Sequence, residues 1–326
     1  MAKAGDSHDT ANRSRVGSGL VDVIAATRVG ATSGGVDAYP LGIVGLSALM
    51  DVTSGNADIV VGLIDGPVAV DHPDLADATI RAAPGSVGAC TRAQPSCVHG
   101  TFVAGILAAR RGTEAPAICP GCTVVVRPIF IEAAPGSPAM PTATAGDLAL
   151  AMRECIDSGA RLLNVSAALT HSDHGDERRL TEALDLASRR GVLVVVAAGN
   201  HGVMGSSALT RHRWVVPVVG YSRLRRPLPG SNLGRSIGRN GVGAPGENVV
   251  SLTPGGGTVS HSGTSAAAPF VTGAAALVWS EFPGASGASV RLALTRPVSP
   301  QPRLPTPPLM NAWAAYRTMI SSHRRR

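Results

Sequence analysis

Four residues of this 326-residue chain are of the types that acyl transfer needs, and they occur in the order Asp65, His99, Asn200, Ser265. Ser265 stands in Ser262-Gly263-Thr264-Ser265-Ala266-Ala267-Ala268-Pro269. That run opens the most continuous apolar helix candidate, through Phe270, Val271, Ala274, Leu277, Val278 and Trp279. A helix that is apolar on every side lies in a core. A hydroxyl in its first turn meets unpaired backbone N–H groups and the positive end of the helix dipole. That setting stabilises the oxyanion formed when a serine attacks a carbonyl. Pro269 is tolerated there because a missing donor costs little near a helix start. Taken alone, Ser265 reads better as a simple N-cap.

A serine nucleophile also needs a base, and the base needs an orienting group. His99 opens His99-Gly100-Thr101-Phe102-Val103-Ala104-Gly105, whose small residues allow a helix to pack closely. Asp65 ends the apolar run Ile59-Val60-Val61-Gly62-Leu63-Ile64, which reads as a strand buried on both faces, and Gly66-Pro67 turns the chain away. Asn200 follows a second such run, Val192 to Gly199, and its amide can donate to an oxyanion. Parallel sheets place their sites at the carboxyl ends of strands.

The elements that must position these residues alternate along the chain. Leu41 to Met50 reads as a short apolar helix. Thr123 to Arg127, Arg161 to Val165, Val192 to Ala198 and Trp214 to Val219 read as strands. Between them, Asp147 is expected to cap a helix whose Leu148, Met152, Cys155 and Ile156 share a face. A second helix runs through Leu180, Leu184 and Ala187 and stops at Gly191. Alternating β and α at these lengths predicts a parallel sheet covered by helices on both faces. Residues 1–39, rich in Gly, Ser, Thr and Asp, read as a flexible extension, 40–318 as one domain, and 319–326 as a basic tail.

Asp65-Gly66 with His72-Pro73-Asp74-Leu75, His99-Gly100-Thr101, Ala197-Ala198-Gly199-Asn200, and Gly263-Thr264-Ser265 with Ala268-Pro269 together resemble the subtilisin-like serine proteases, or subtilases. The resemblance covers about residues 40 to 318. It implies a three-layer α/β fold and a serine endopeptidase with Ser265 as nucleophile, His99 as general base and acid, and Asp65 orienting the imidazole. Asn200 and the Ser265 N–H would form the oxyanion hole. Ser166, Ala167, Ala168, Ala197, Ala198 and Gly199 would line the substrate. Asp65-Gly66-Pro67-Val68, the cysteines flanking His99 and the Ala115 to Phe130 stretch look similar to cyanobactin-maturation subtilases. Those process ribosomally made precursor peptides, so the implied partner is a peptide or protein.

The chain departs from the family pattern in several places. Gly66 replaces the usual Ser or Thr, which is expected to remove a hydrogen bond to Asp65. Phe102 replaces a second histidine, Ala266 a methionine, and Ala167-Ala168 a glycine pair. Arg110-Arg111-Gly112-Thr113-Glu114 lacks an Asn-rich calcium insert, so that calcium site is expected to be lost.

Hydrophobic residues make up 44% of the chain, enough for a sizeable core, but aromatics only 3%, so packing must rely on Ala, Val, Leu and Gly. No run is long enough to span a membrane, and Met1 to Arg15 has no apolar signal region, which predicts a cytoplasmic protein. The formal charge of +7 is scattered arginine, without the basic face and interleaved aromatics that nucleic acid requires. No cofactor is required by the expected chemistry. Cys90, Cys97, Cys119 and Cys122 surround the His99 segment and read as a structural zinc set, two disulfides or free thiols. Cys155 reads as core. His261, four residues before Ser265, reads either as approaching the active site or, more readily, as a surface residue.

Overall fold

The computed structural model describes residues 20–23, 39–86, 90, 94–130, 142–169, 174–296 and 305–324. The strands are β1 (Leu20–Val23), β2 (Val60–Asp65), β3 (Thr79–Ala82), β4 (Thr123–Pro128), β5 (Thr142–Thr144) and β6 (Leu162–Val165). They continue with β7 (Ala167–Leu169), β8 (Leu193–Ala197), β9 (Val215–Tyr221), β10 (Val242–Pro245), β11 (Val249–Thr253) and β12 (Gly257–His261). The helices are α1 (Leu46–Met50), α2 (Pro95–Ala108), α3 (Ala145–Asp157), α4 (His174–Arg190) and α5 (Ala208–Arg211). They are followed by α6 (Arg235–Asn240), α7 (Thr264–Glu281), α8 (Gly287–Thr295) and α9 (Ala312–His323).

Seven strands form one sheet in the order β10-β9-β8-β6-β2-β4-β3, and every pair is parallel. Because side chains alternate across a strand, each strand feeds two cores. Leu193, Val195 and Ala197 of β8 join Val61 and Leu63 of β2 in the cluster covered by α2 and α7. Val194 and Val196 join Ile64 in the opposite cluster, covered by α3 and α4. Cys155 of α3 is fully buried against β2, and a Cβ at Gly62 would come within 2.9 Å of the Cys155 Cβ. The sheet and its two helical layers give the expected three-layer α/β fold.

Thr144, rather than Asp147, is the N-cap of α3. Its hydroxyl accepts the Asp147 N–H at 3.0 Å, while the Asp147 carboxylate accepts the Thr144 N–H at 3.1 Å. Asp147 therefore serves as the returning half of a capping box. The expected basic tail is shorter than its predicted span, because α9 continues to His323. The N-terminal extension is not featureless, since Leu20–Val23 forms β1. The rest of residues 1–38 lies outside the described residues, as does Pro297 to 304 of the Pro-rich stretch.

Candidate active site

Asp65 is the last residue of β2 and is fully buried. Its Oδ1 accepts the Gly66 N–H at 2.6 Å and lies 2.7 Å from His99 Nδ1. Gly66 thus supplies a hydrogen bond to the carboxylate through its backbone, a contribution not apparent from its lack of a side chain. Its place is steric: a Cβ there would lie 1.9 Å from the Ser96 carbonyl oxygen, and one at Gly100 would lie 2.4 Å from the Gly66 oxygen. Two glycines therefore let the first turns of α2 press against the turn after β2. That close approach brings His99 within reach of Asp65.

With Nδ1 facing the carboxylate, Nδ1 carries the proton and Nε2 is left as the basic nitrogen. His99 Nε2 has no hydrogen-bond partner and belongs to α2, which packs against α7. Ser265 lies in the first turn of α7, with Gly263 as N-cap at φ 141°. Its Oγ is also buried without a partner. Pro269 sits inside α7, within the two turns that follow.

Asn200 lies beyond β8 and is tied to the same helix start. Its Oδ1 accepts the Thr264 N–H at 2.9 Å, and the Gly199 N–H donates to Thr264 Oγ1 at 3.2 Å. With Oδ1 so engaged, Nδ2 is buried without an acceptor. A Cβ on Gly263 would come within 2.5 Å of that nitrogen, so glycine is needed there for space as well as for its positive φ. Asp65 Oδ2, His99 Nε2, Asn200 Nδ2 and Ser265 Oγ are thus four buried polar atoms without partners. Native interiors rarely leave such atoms unpaired, and reacting groups are one reason they do.

Ser166 is buried at the end of β6, and its Oγ accepts Asn164 Nδ2 at 3.0 Å. Asn164 Oδ1 in turn accepts the Thr272 hydroxyl of α7 at 2.8 Å. Ala167 and Ala168 begin β7. Ala197 and Ala198 are buried, and Asn232 binds the Ala198 and Gly199 carbonyls at 3.2 and 2.8 Å. Asn164, Thr264, Thr272 and Asn232 do not announce themselves in the sequence, because each works through a partner remote in the chain. His261 takes the less favoured of its two readings: its ring packs edge-on against Phe102 at 4.7 Å and lies 6.4 Å from the His99 ring, so it approaches the site.

The four-cysteine zinc set is not assembled. Cys90 and Cys97 form a disulfide at the start of α2, whereas Cys119 and Cys122 are buried free thiols near its far end, where the Cys119 N–H donates to Leu107 O. Ten residues of α2 separate the two pairs, about 15 Å at helical rise. A hydrogen bond to Cys122, together with burial, pushes the Cys119 thiol well up. Disulfides persist in oxidising surroundings, which runs against the expected cytoplasmic location. Among the described residues no helix is long and apolar enough to cross a membrane.

In the loop expected to lack calcium, Arg111 is the cation. Its guanidinium donates to the carbonyls of Met50 at 2.6 Å, Thr53 at 2.7 Å, Ile118 at 2.9 Å and Ala117 at 3.4 Å.

Residues 56–305 match the Peptidase_S8 model of the subtilase family, and the chain belongs to that family. It is 29% identical over 264 residues to a subtilisin from Bacillus sp. (strain TA39), covering 73% of this chain and 60% of that relative's length. Among solved structures, it is 30% identical to a serine-to-alanine mutant of the protease domain of PatA. The TM-score is 0.73, with 82% of this chain and 97% of the other covered. The prenylagaramide maturation protease PagA is 29% identical, with a TM-score of 0.70 over 84% of this chain and 98% of the other. The subtilisin-like fold expected from the sequence is therefore the fold of the chain.

Proposed function

We propose that the protein is a serine endopeptidase that hydrolyses peptide bonds through an acyl-enzyme. The observation that carries this reading is the 2.7 Å contact of His99 Nδ1 with buried Asp65, which leaves Nε2 as the base. Ser265 Oγ attacks the substrate carbonyl carbon and gives its proton to His99 Nε2. Asn200 Nδ2 and the Ser265 N–H donate to the resulting oxyanion. Collapse breaks the C–N bond, His99 returns the proton to the departing amine, and water then releases the acyl group by the same steps in reverse. Asp65 holds the tautomer and balances the imidazolium charge. Ser166, Ala167 and Ala168 on one side, and Ala197, Ala198 and Gly199 on the other, flank the peptide.

The substrate class we propose is a ribosomally made precursor peptide, on the likeness to PatA and PagA. A macrocyclase, in which an amine captures the acyl group, needs water kept from the ester. Only 34 positions separate Asp65 from His99, and among the described ones the connection before α2 holds a 3₁₀ turn and β3, which favours hydrolysis. A peptide-binding module of weak activity is the third reading. The intact Asp65–His99 geometry opposes it.

The test is Ser265→Ala with a fluorophosphonate probe and a peptide substrate. We expect labelling and cleavage in the wild type and neither in the variant, with unchanged circular dichroism. Labelling that survives in Ser265→Ala overturns the assignment of the nucleophile.

A further inference from the structure

A cleft of about 700 Å³ opens at the amino ends of β6, β8 and β9, where Arg161, Val192 and Trp214 stand just before the strands. The last turn of α4, the end of α7 and the start of α8 bound it. Strand β8 runs from the cleft toward Asn200, and at about 3.3 Å per residue its five residues keep the two roughly 17 Å apart. No catalytic residue lines the cleft. Two of the three tryptophans do, in a chain with only 3% aromatic residues.

Both tryptophans are fixed. Trp214 donates its Nε1 proton to the Val192 carbonyl at 2.7 Å and packs against the core under α3 and α4, while its remaining surface lines the cleft. Trp279, from the core on the other face of the sheet, donates to the Ala285 carbonyl at 2.9 Å. The Arg161 guanidinium lies over the Trp279 ring, 4.2 Å from its centre, and donates to the Pro283 carbonyl at 3.1 Å. Arg161 is thereby held as a cation against a flat ring. Burial pushes its pKa down, and its hydrogen bonds go to neutral carbonyls.

Two more cations, Arg189 and Arg190, come from the last turn of α4. The helix dipole favours basic residues there, which accounts for their presence but not for the cleft beside them. The four acidic residues of α4 are already engaged: Asp176 with Arg179, Glu177 with Arg211, Glu182 with Arg153 and Asp185 with His212. Among the described residues no ion pair engages Arg161, Arg189 or Arg190, and no carboxylate lines the cleft. Aromatic and aliphatic walls with a few fixed polar groups, around a space of this size, are the usual build of a small-molecule site. We propose that the cleft binds a small organic anion with a flat apolar body of one to three rings. Its carboxylate, sulfonate or phosphate is set among the three guanidiniums, and its rings lie against Trp214. Binding of this kind does not depend on the peptidase reading.

The experiment is a fluorescence titration of the full chain with 1-anilinonaphthalene-8-sulfonate, beside its uncharged counterpart N-phenyl-1-naphthylamine. We expect one saturable site per chain with Kd of about 10–100 µM, ordinary for a ligand of this size, and at least tenfold weaker binding of the uncharged compound. Arg189→Gln/Arg190→Gln removes two cations from exposed positions and is expected to raise Kd about fivefold. Ala288→Trp changes no charge, since Ala288 is an exposed residue of α8 that lines the cleft, and its indole should fill the space and abolish saturable binding. Arg235→Gln/Arg239→Gln removes the same charge from exposed positions of α6 and should leave Kd unchanged. Circular dichroism and Tm establish that each variant is folded. Ser265→Ala should bind the probe as the wild type does, so loss of the peptidase reading leaves this site standing. An unchanged Kd in both cleft variants, equal affinity for the uncharged compound, or equal weakening by the α6 variant overturns the proposal.

Discussion

Asn200 has one free hydrogen-bonding end, because its Oδ1 already accepts the Thr264 N–H at 2.9 Å. The amide is held before any substrate arrives, so its donor needs no reorganisation when charge develops on the carbonyl oxygen. Asn200→Ala is therefore expected to lower kcat about 10²–10³-fold with little change in KM, the pattern of a donor used mainly in the transition state. An unchanged kcat, with chemistry shown to be rate-limiting, would remove Asn200 from the oxyanion hole. At this scale the places of Asp65 and Asn200 were legible because each ends or follows an apolar run whose end has a predictable position in a parallel sheet, and that of His99 because it lies in a helix of small residues. Gly66 was misread. The Ser96 carbonyl that excludes its Cβ lies 30 positions away in the chain, and no local pattern reports such a contact. Between the two readings of His261 the structure takes the less favoured one, since Phe102, on which it packs, belongs to a different element.

Among the elements, the long apolar runs were read from composition, β7 only through the family resemblance, and β5 not at all. β2, β4, β6, β8 and β9 are continuous Val- and Leu-rich segments buried on both faces, so composition alone marks them. β5 and β7 are three residues each and exist because they pair with β1, a long-range event without local periodicity. The loop after α2 shows a related limit. Two arginines in place of calcium ligands suggested only a loss, whereas Arg111 gathers four backbone carbonyls and Arg110 pairs with Asp74 at 3.2 Å. Hydrogen bonds to a charged donor are worth about 1.5–3 kcal/mol each, and solvent at this half-buried side chain reduces the sum. Arg111→Leu is expected to lower unfolding free energy by about 3 kcal/mol, measured by urea denaturation at constant m-value. Arg111→Lys should recover only part of it, because an ammonium lacks the planar fork. A loss below about 0.5 kcal/mol would show that the carbonyls are satisfied without the guanidinium.

The molecule as a whole keeps several acidic protons that its unfolded chain would release in mild alkali. Burial pushes the Cys155 thiol up to about 12, and burial likewise pushes Tyr221, whose hydroxyl donates to the Pro307 carbonyl at 2.5 Å, to about 12. An unfolded cysteine titrates near 8.5 and an unfolded tyrosine near 10. Above about pH 8.5 the unfolded state therefore binds fewer protons than the native state, and the slope of stability against pH is negative. The contribution of Cys155 is fully present below its unfolded pKa and is lost as pH rises toward 12. While only the unfolded form is ionised, each such group removes about 1.4 kcal/mol per pH unit. Cys119 and Cys122 share a hydrogen bond and shift in opposite directions, so the absolute slope mixes several groups. Cys155→Ala isolates one of them. The variant loses packing against Gly62 at every pH, and that part of the difference from wild type is constant. The remaining part should shrink by about 1.4 kcal/mol per unit between roughly pH 9 and 11, as wild type alone suffers the thiol penalty. Urea denaturation of both proteins at half-unit steps measures it. A difference that stays flat across that window would mean that Cys155 ionises as readily in the folded protein as in the unfolded chain.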